Sequence, residues 1–194
     1  MPLVLSTAPT GDPVSLADIK AHVREDTSDN DAWLTAAIKS AVAYLDGPKG
    51  ILNQCIMPQQ WQAFYDAFPA GSLLKINIGP VTALTKFEYQ DASGTWTDVL
   101  GSTYISKFTD GDLQIALNSG ASWPTPKNTV DCVRVTFTAG YANAASVPAD
   151  LVMAIKMMVA HWFENRGVIL DDRRVESLPF VVDALIAKHR RIAY

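Results

Sequence analysis

The chain has 194 residues, 48% of them apolar and 19% charged, with a formal net charge of −4. That length supports one good core or two small ones. The acid excess argues against a dedicated nucleic-acid binder, whose footprint is a basic surface, and no run reaches the roughly eighteen apolar residues of a membrane span. Residues 1–14 read as an extended arm punctuated by Pro9, Gly11 and Pro13. They lack a charged leader, so no secretory signal is expected.

Ser15 opens a helix running to about residue 24. Asp18 sits where a capping box places its acid, and Val14 with Ile19 is spaced as a hydrophobic staple. A polar stretch, 25–31, leads to a second helix over about 30–46. There Trp33, Leu34, Ala37, Ile38, Ala41, Val42 and Leu45 recur at three and four, and Gly47-Pro48 stops it. The period then changes. Residues 54–64 read as a broken strand with Pro58 inside. Strands are predicted at 73–78, 81–89, 96–100, 104–108, 113–117 and 130–138, with turns at Asp91-Ala-Ser-Gly94 and Asp110-Gly-Asp112. Residues 123–126, Trp-Pro-Thr-Pro, are a rigid loop. In the last strand Val133, Val135 and Phe137 face one way, and Arg134, Thr136 and Thr138 the other.

The most informative segment follows. Pro148 suits a first helical turn, and a helix over 148–166 is apolar around most of its circumference. Leu151, Val152, Ile155, Met158, Val159, Trp162 and Phe163 form a stripe, which Met153, Ala154, Met157 and Ala160 widen. A peripheral helix needs about 100° of apolar surface, so the surplus calls for a neighbouring helix, a sheet or another subunit. A loop over 168–178 contains Asp171-Asp-Arg-Arg174, and a final helix spans 179–190. The expected class is α+β: two N-terminal helices, a central antiparallel β block at about 54–140, and two C-terminal helices packing with the first pair.

Chemical motifs are absent. No glycine-rich phosphate cradle, dinucleotide fingerprint or nucleophile elbow occurs. His22, His161 and His189 are scattered, and His161 with Glu164 lacks a second histidine at helical spacing for zinc. Cys55 and Cys132 read as buried free thiols in apolar, strand-like stretches more readily than as a disulfide framework. No catalytic, cofactor or metal residues are assigned. The charged loop around Arg173 and Arg174 is either solvated or an intersubunit charge match. The basic end, Lys188, His189, Arg190 and Arg191, either suits the helix dipole or meets an acidic partner.

Several segments taken together resemble the head–tail connector (head completion or adaptor) proteins of tailed phages, in their larger form with a β block between the helices. They are Val14-Ser-Leu-Ala-Asp-Ile-Lys-Ala-His-Val-Arg24, Asp29-Asn-Asp31 before an alanine-rich helix, residues 76–82 with Pro80, and Tyr104-Ile-Ser. Val133-Arg-Val-Thr-Phe-Thr-Ala-Gly-Tyr141, Val147-Pro148 and Ala160-His-Trp-Phe-Glu-Asn-Arg166 complete the set. The likeness spans about residues 12–190 and rests on a composite pattern. It implies a single connector domain over 15–190, helical at 15–47 and 148–190, with a tail at 191–194. It further implies a structural virion protein without catalysis, in a ring of about twelve copies under a portal protein. Such a ring would pass double-stranded DNA without reading its sequence and would dock a downstream neck or tail-completion protein. No membrane is expected to be involved, and assembly in a bacterial cytoplasm is implied. Met157, Trp162, Arg173, Arg174, Lys188, Arg190 and Arg191 are the expected interface residues. A tail-completion or neck protein, a generic binding domain and, further off, a small-molecule enzyme are the competing readings.

Overall fold

Ser15 caps the first helix, α1 (Leu16–Val23), as its side chain predicts. In the computed structural model its Oγ accepts the Asp18 amide at 3.1 Å and donates to the Asp18 carboxylate at 2.6 Å. Val14 and Ile19 are both buried beside this cap. The structure describes residues 1–70, 73–165 and 180–191. The chain divides into two units, a helical one from 11–57 and 143–192 and a β unit from 1–10 and 58–142.

In the helical unit, α2 (Asp31–Leu45) buries Leu34, Ala37, Ile38, Ala41 and Leu45, the predicted stripe less its half-buried flanks. Its end is tied down locally: the Asp46 carboxylate accepts the Ile56 amide at 2.6 Å, and Gly47 takes a positive φ of 78°. Gly50 approaches the helix end so closely that a Cβ there would lie 2.3 Å from the Asp46 carbonyl oxygen. α3 (Ala149–Glu164) buries Leu151, Ala154, Ile155, Met158 and Val159. Burying each large apolar side chain contributes about 1.5–3 kcal/mol, and α3 packs against α1, α2 and α4 (Phe180–Ala187). α3 thus carries the contact between the first and last helices. Trp33 meets Phe163 edge-on at 5.7 Å.

The β unit corrects four expectations. Residues 3–7, read as part of an arm, are strand β1 (Leu3–Thr7). It pairs antiparallel with β2 (Gln59–Tyr65), so the unit is not wholly inserted between the helical pairs. The broken strand at 54–64 resolves into a loop and then β2, which starts just after Pro58 because proline has no N–H for the ladder. The single β block is two antiparallel sheets. One runs β1-β2-β8-β4-β5, with β4 (Val81–Gln90), β5 (Trp96–Asp98) and β8 (Val133–Ala139). The other runs β3-β7-β6, with β3 (Leu73–Ile76), β6 (Tyr104–Thr109) and β7 (Asp112–Leu117). β8 begins at Val133, three residues later than expected, since Asp131 has a φ of 54° that a ladder does not accept.

The alternation predicted for β8 holds. Val133, Val135 and Phe137 are buried together with Ala63 and Phe87, which flank Val135 on the two neighbouring strands. An aromatic group, half-buried apart from the buried Phe87, lies beside them: Phe68 stacks on Trp123 at 4.9 Å, and Phe87 meets Trp123 at 5.8 Å and Tyr104 at 5.2 Å, both edge-on. That contact pins the proline-flanked loop at Trp123 to the β unit.

Candidate assembly surfaces

α3 does not bury its whole apolar circumference. Met157 and Trp162 are half-buried and Met153 is exposed, outside the packed row of Leu151, Ile155 and Met158. The surplus foreseen in the sequence is therefore present as partly open surface on the helical unit, though narrower than the sequence implied. Arg173, Arg174 and the loop that holds them lie outside the described residues.

The basic end of α4 is engaged at close range. Lys188 Nζ lies 2.5 Å and His189 Nε2 3.3 Å from one carboxylate oxygen of Asp150, in the first turn of α3. The hydrogen bond from Lys188, then that from His189, holds the Asp150 carboxyl below its ordinary range. Arg190 reaches Asp183 at 3.2 Å, and the Arg191 amide donates to the Leu52 carbonyl at 2.9 Å. These contacts fasten the end of α4 to α3 and to the loop after α2.

One face of the five-stranded sheet is polar and built around Arg134. Its Nε and one terminal nitrogen lie 3.0 and 2.8 Å from Oε2 of the buried Glu88, and its guanidinium sits 4.1 Å above the Trp96 ring. Beside it the Thr136 hydroxyl is buried without a hydrogen-bond partner. Sequence reasoning placed Arg134 and Thr136 on this face but missed Glu88 and Trp96. Only the β4–β8 and β4–β5 registers bring those two residues there.

Two strand edges are the other open features. β1 ends the larger sheet and β6 ends the smaller. Val4 and Leu5 are 50% and 43% exposed on β1, and Ile105 and Phe108 are 55% and 44% exposed on β6. Edges that carry exposed apolar side chains invite pairing with another chain. The strand itself was legible for β6, though not its place at an edge. It was obscured for β1, where the prolines and glycine that follow made Leu3-Val-Leu5 read as arm.

Two clefts are lined by described residues. A cleft of about 220 Å³ by Trp123 presents Asp98, Thr103 and Ser122, and a cleft of about 440 Å³ lies between Met1, Tyr65 and Lys75. No histidine or cysteine lines either. Cys55 and Cys132 are buried and form no disulfide, both outside the strands, and the Cys132 thiol donates to the Asp66 carbonyl at 3.0 Å. Among the described residues no three of His, Cys, Asp or Glu gather as a metal site would require, and no helix is long and apolar enough to cross a membrane.

No protein-family model and no curated protein matches the chain. Solved structures do. A chain in the neck of an empty gene transfer agent particle, computed with C6 symmetry, aligns over 100% of this chain and 97% of its own. Its TM-score is 0.77 and its identity 26%. The fold is similar to that of a chain in a gene transfer agent neck. A chain from the virion of the native gene transfer agent particle matches with the same coverage, a TM-score of 0.78 and 25% identity. A third, from the native neck computed with C12 symmetry, shares the fold at 23% identity and a TM-score of 0.71. The neck fold thus accounts for both units from end to end, β1 and the C-terminal helices included.

Proposed function

We propose that this chain is a structural neck protein of a phage-like particle: a head–tail connector that forms a ring under the portal. There it extends the DNA channel and gives the next neck or tail protein a docking surface. The observation that carries this reading is the end-to-end match at 26% identity to a chain of a C6-symmetric neck. A local motif shared by grafting would not cover 100% of one chain and 97% of the other.

The physical task needs no bond-making step. Each copy would bury surface against the next in a head-to-tail contact, and rotation closes such contacts into a ring. We favour about twelve copies, the number that the resemblance to head–tail connector proteins implies. The partly open side of α3 at Met157 and Trp162, with Arg173 and Arg174, is assigned to contact between copies. Lys188, Arg190 and Arg191 are assigned to the portal side. The net charge of −4 suits a channel through which DNA slides, because a strongly basic lining would hold the phosphates.

Light scattering and electron microscopy of the purified chain, alone and with its particle's portal, test the reading. Rings with six- or twelve-fold symmetry are expected, at the latest on the portal. A chain that stays solitary with the portal present ends it. Ala at both Arg190 and Arg191 should leave the fold intact and lower portal attachment; unchanged attachment removes the tail from the portal contact.

A further inference from the structure

We propose that the ring is stitched by strand addition: the outer edge of β1 in one copy pairs with the outer edge of β6 in the next. This rests on the ring reading above. It is carried by which backbone groups the two edges leave open.

In an antiparallel ladder, residue pairs alternate between those that exchange hydrogen bonds and those whose N–H and C=O point away from the partner. Two bonds set the phase here. Asn118 N–H donates to the Thr103 carbonyl at 2.9 Å, which makes 103 and 118 a bonded pair. The β6–β7 register then makes Ile105, Lys107 and Thr109 bonded and turns the amides and carbonyls of Tyr104, Ser106 and Phe108 outward. The two-residue turn at Asp110 and Gly111, both with positive φ, requires the same phase. On β1, Phe64 N–H donates to the Pro2 carbonyl at 3.1 Å. That register turns the backbone of Leu3 and Leu5 outward. No backbone hydrogen bond among the described residues meets these outward groups.

The occupant is a second copy for three reasons. A cyclic neck requires two different surfaces that fit each other. β1 and β6 are such a pair, whereas β1 on β1 or β6 on β6 would close a two-fold dimer. The edges also match chemically. β1 carries no charge, and β6 carries only Lys107, whose backbone is already bonded to β7. Finally, the other sheet ends are poorer templates: β5 has three residues and β3 four. Strands of five and six residues bury less than the roughly 1,000 Å² of a stable binary contact. The pairing therefore fits a ring held by many such contacts on a platform rather than an isolated dimer.

Proline separates edge pairing from folding. Ser106→Pro removes an outward N–H and no bond to β7, and an edge strand tolerates it there. Leu5→Pro does the same on β1, while Ser106→Ala keeps the amide. We expect S106P and L5P to melt like the wild type yet assemble about tenfold or more weakly, as loss of an interstrand bond repeated round a ring would give. S106A should assemble normally. Hydrogen exchange should show peptides 1–7 and 102–110 gaining protection in the ring relative to the free chain. If wild-type rings form but neither peptide gains protection and S106P assembles normally, edge pairing is wrong and the ring reading stands. An S106A defect equal to that of S106P assigns the contact to the side chain and overturns the pairing. If the wild type forms no ring even on the portal, both readings fall. Should S106P melt early, L5P and the exchange data decide.

Discussion

Arg134 and Glu88, 46 residues apart in sequence, face each other across β4 and β8, and one Glu88 oxygen receives two guanidinium N–H groups at 2.8 and 3.0 Å. Lys86 lies 3.7 Å from the other oxygen, and Trp96 covers the guanidinium. Glu88 is only 7% exposed at its side chain, so its carboxylate depends on Arg134 for compensation. Arg134→Ala leaves that charge buried and should destabilise the β unit by about 3 kcal/mol or more. Arg134→Lys should recover part of it, losing the second N–H and the stacked plane. Replacing both residues, Glu88→Leu with Arg134→Met, should cost less than R134A alone. Denaturant melts of the three variants and the wild type check the order; an R134A melt equal to wild type would contradict it.

The Ser15 cap is a cleaner single-residue test. Ser15→Ala removes the acceptor for the Asp18 amide and should cost about 1 kcal/mol. Ser15→Gly should cost only a few tenths of that. The Ser15 hydroxyl also holds the Asp18 carboxyl below its ordinary range, so NMR titration of S15A should show the Asp18 pKa rising.

The fastening of α4 should depend on acid. Asp150 is held below its ordinary pKa by Lys188 and then His189. A carboxyl depressed in the folded state contributes stability above its unfolded value, about 4, and loses it as pH falls through the folded value. Asp150→Asn should therefore speed amide exchange in residues 180–191 at neutral pH. After correction for intrinsic exchange rates, the gap from wild type should close below about pH 4. A gap independent of pH would mean that the ion pairs do not fasten the helix.

α3 separates folding from assembly along its own circumference. Met158→Asp puts a charge into a fully buried site and should prevent folding of the helical unit. Met153→Asp, on the exposed side, should shift the melt by no more than about 0.5 kcal/mol. Asp at Met157 or Trp162 is expected to fall between these, with an assembly defect larger than its stability cost. Circular dichroism melts set beside ring yield distinguish the three classes.

Gly50 tests a close approach. Gly50→Ala would drive its Cβ against the Leu45 and Asp46 carbonyls, so the loop after α2 must shift. We expect destabilisation of about 1–3 kcal/mol. Weaker protection of the Ile56 amide, which the Asp46 carboxylate holds, should accompany it in hydrogen exchange.

Element type and order were legible in the sequence because their causes are local. The three- and four-residue spacing of Leu34, Ala37, Ile38 and Ala41 makes one helical face whatever surrounds it. Ser15 with Asp18 starts a helix through a contact three residues long. Asp110-Gly111 folds back because both residues tolerate positive φ. Those signals carry the α+β class, with two helices first and two last. Tertiary structure alone decided the partners. Leu3-Val-Leu5 becomes a strand only because β2 stands beside it, and the one β block becomes two sheets because strand choice is non-local and register follows burial. The same holds for charge: Glu88 meets Arg134, and Asp150 meets Lys188 and His189, across separations that no local periodicity spans. The open edges follow from this too, since whether a strand lies at a sheet's margin depends on what every other strand has paired with.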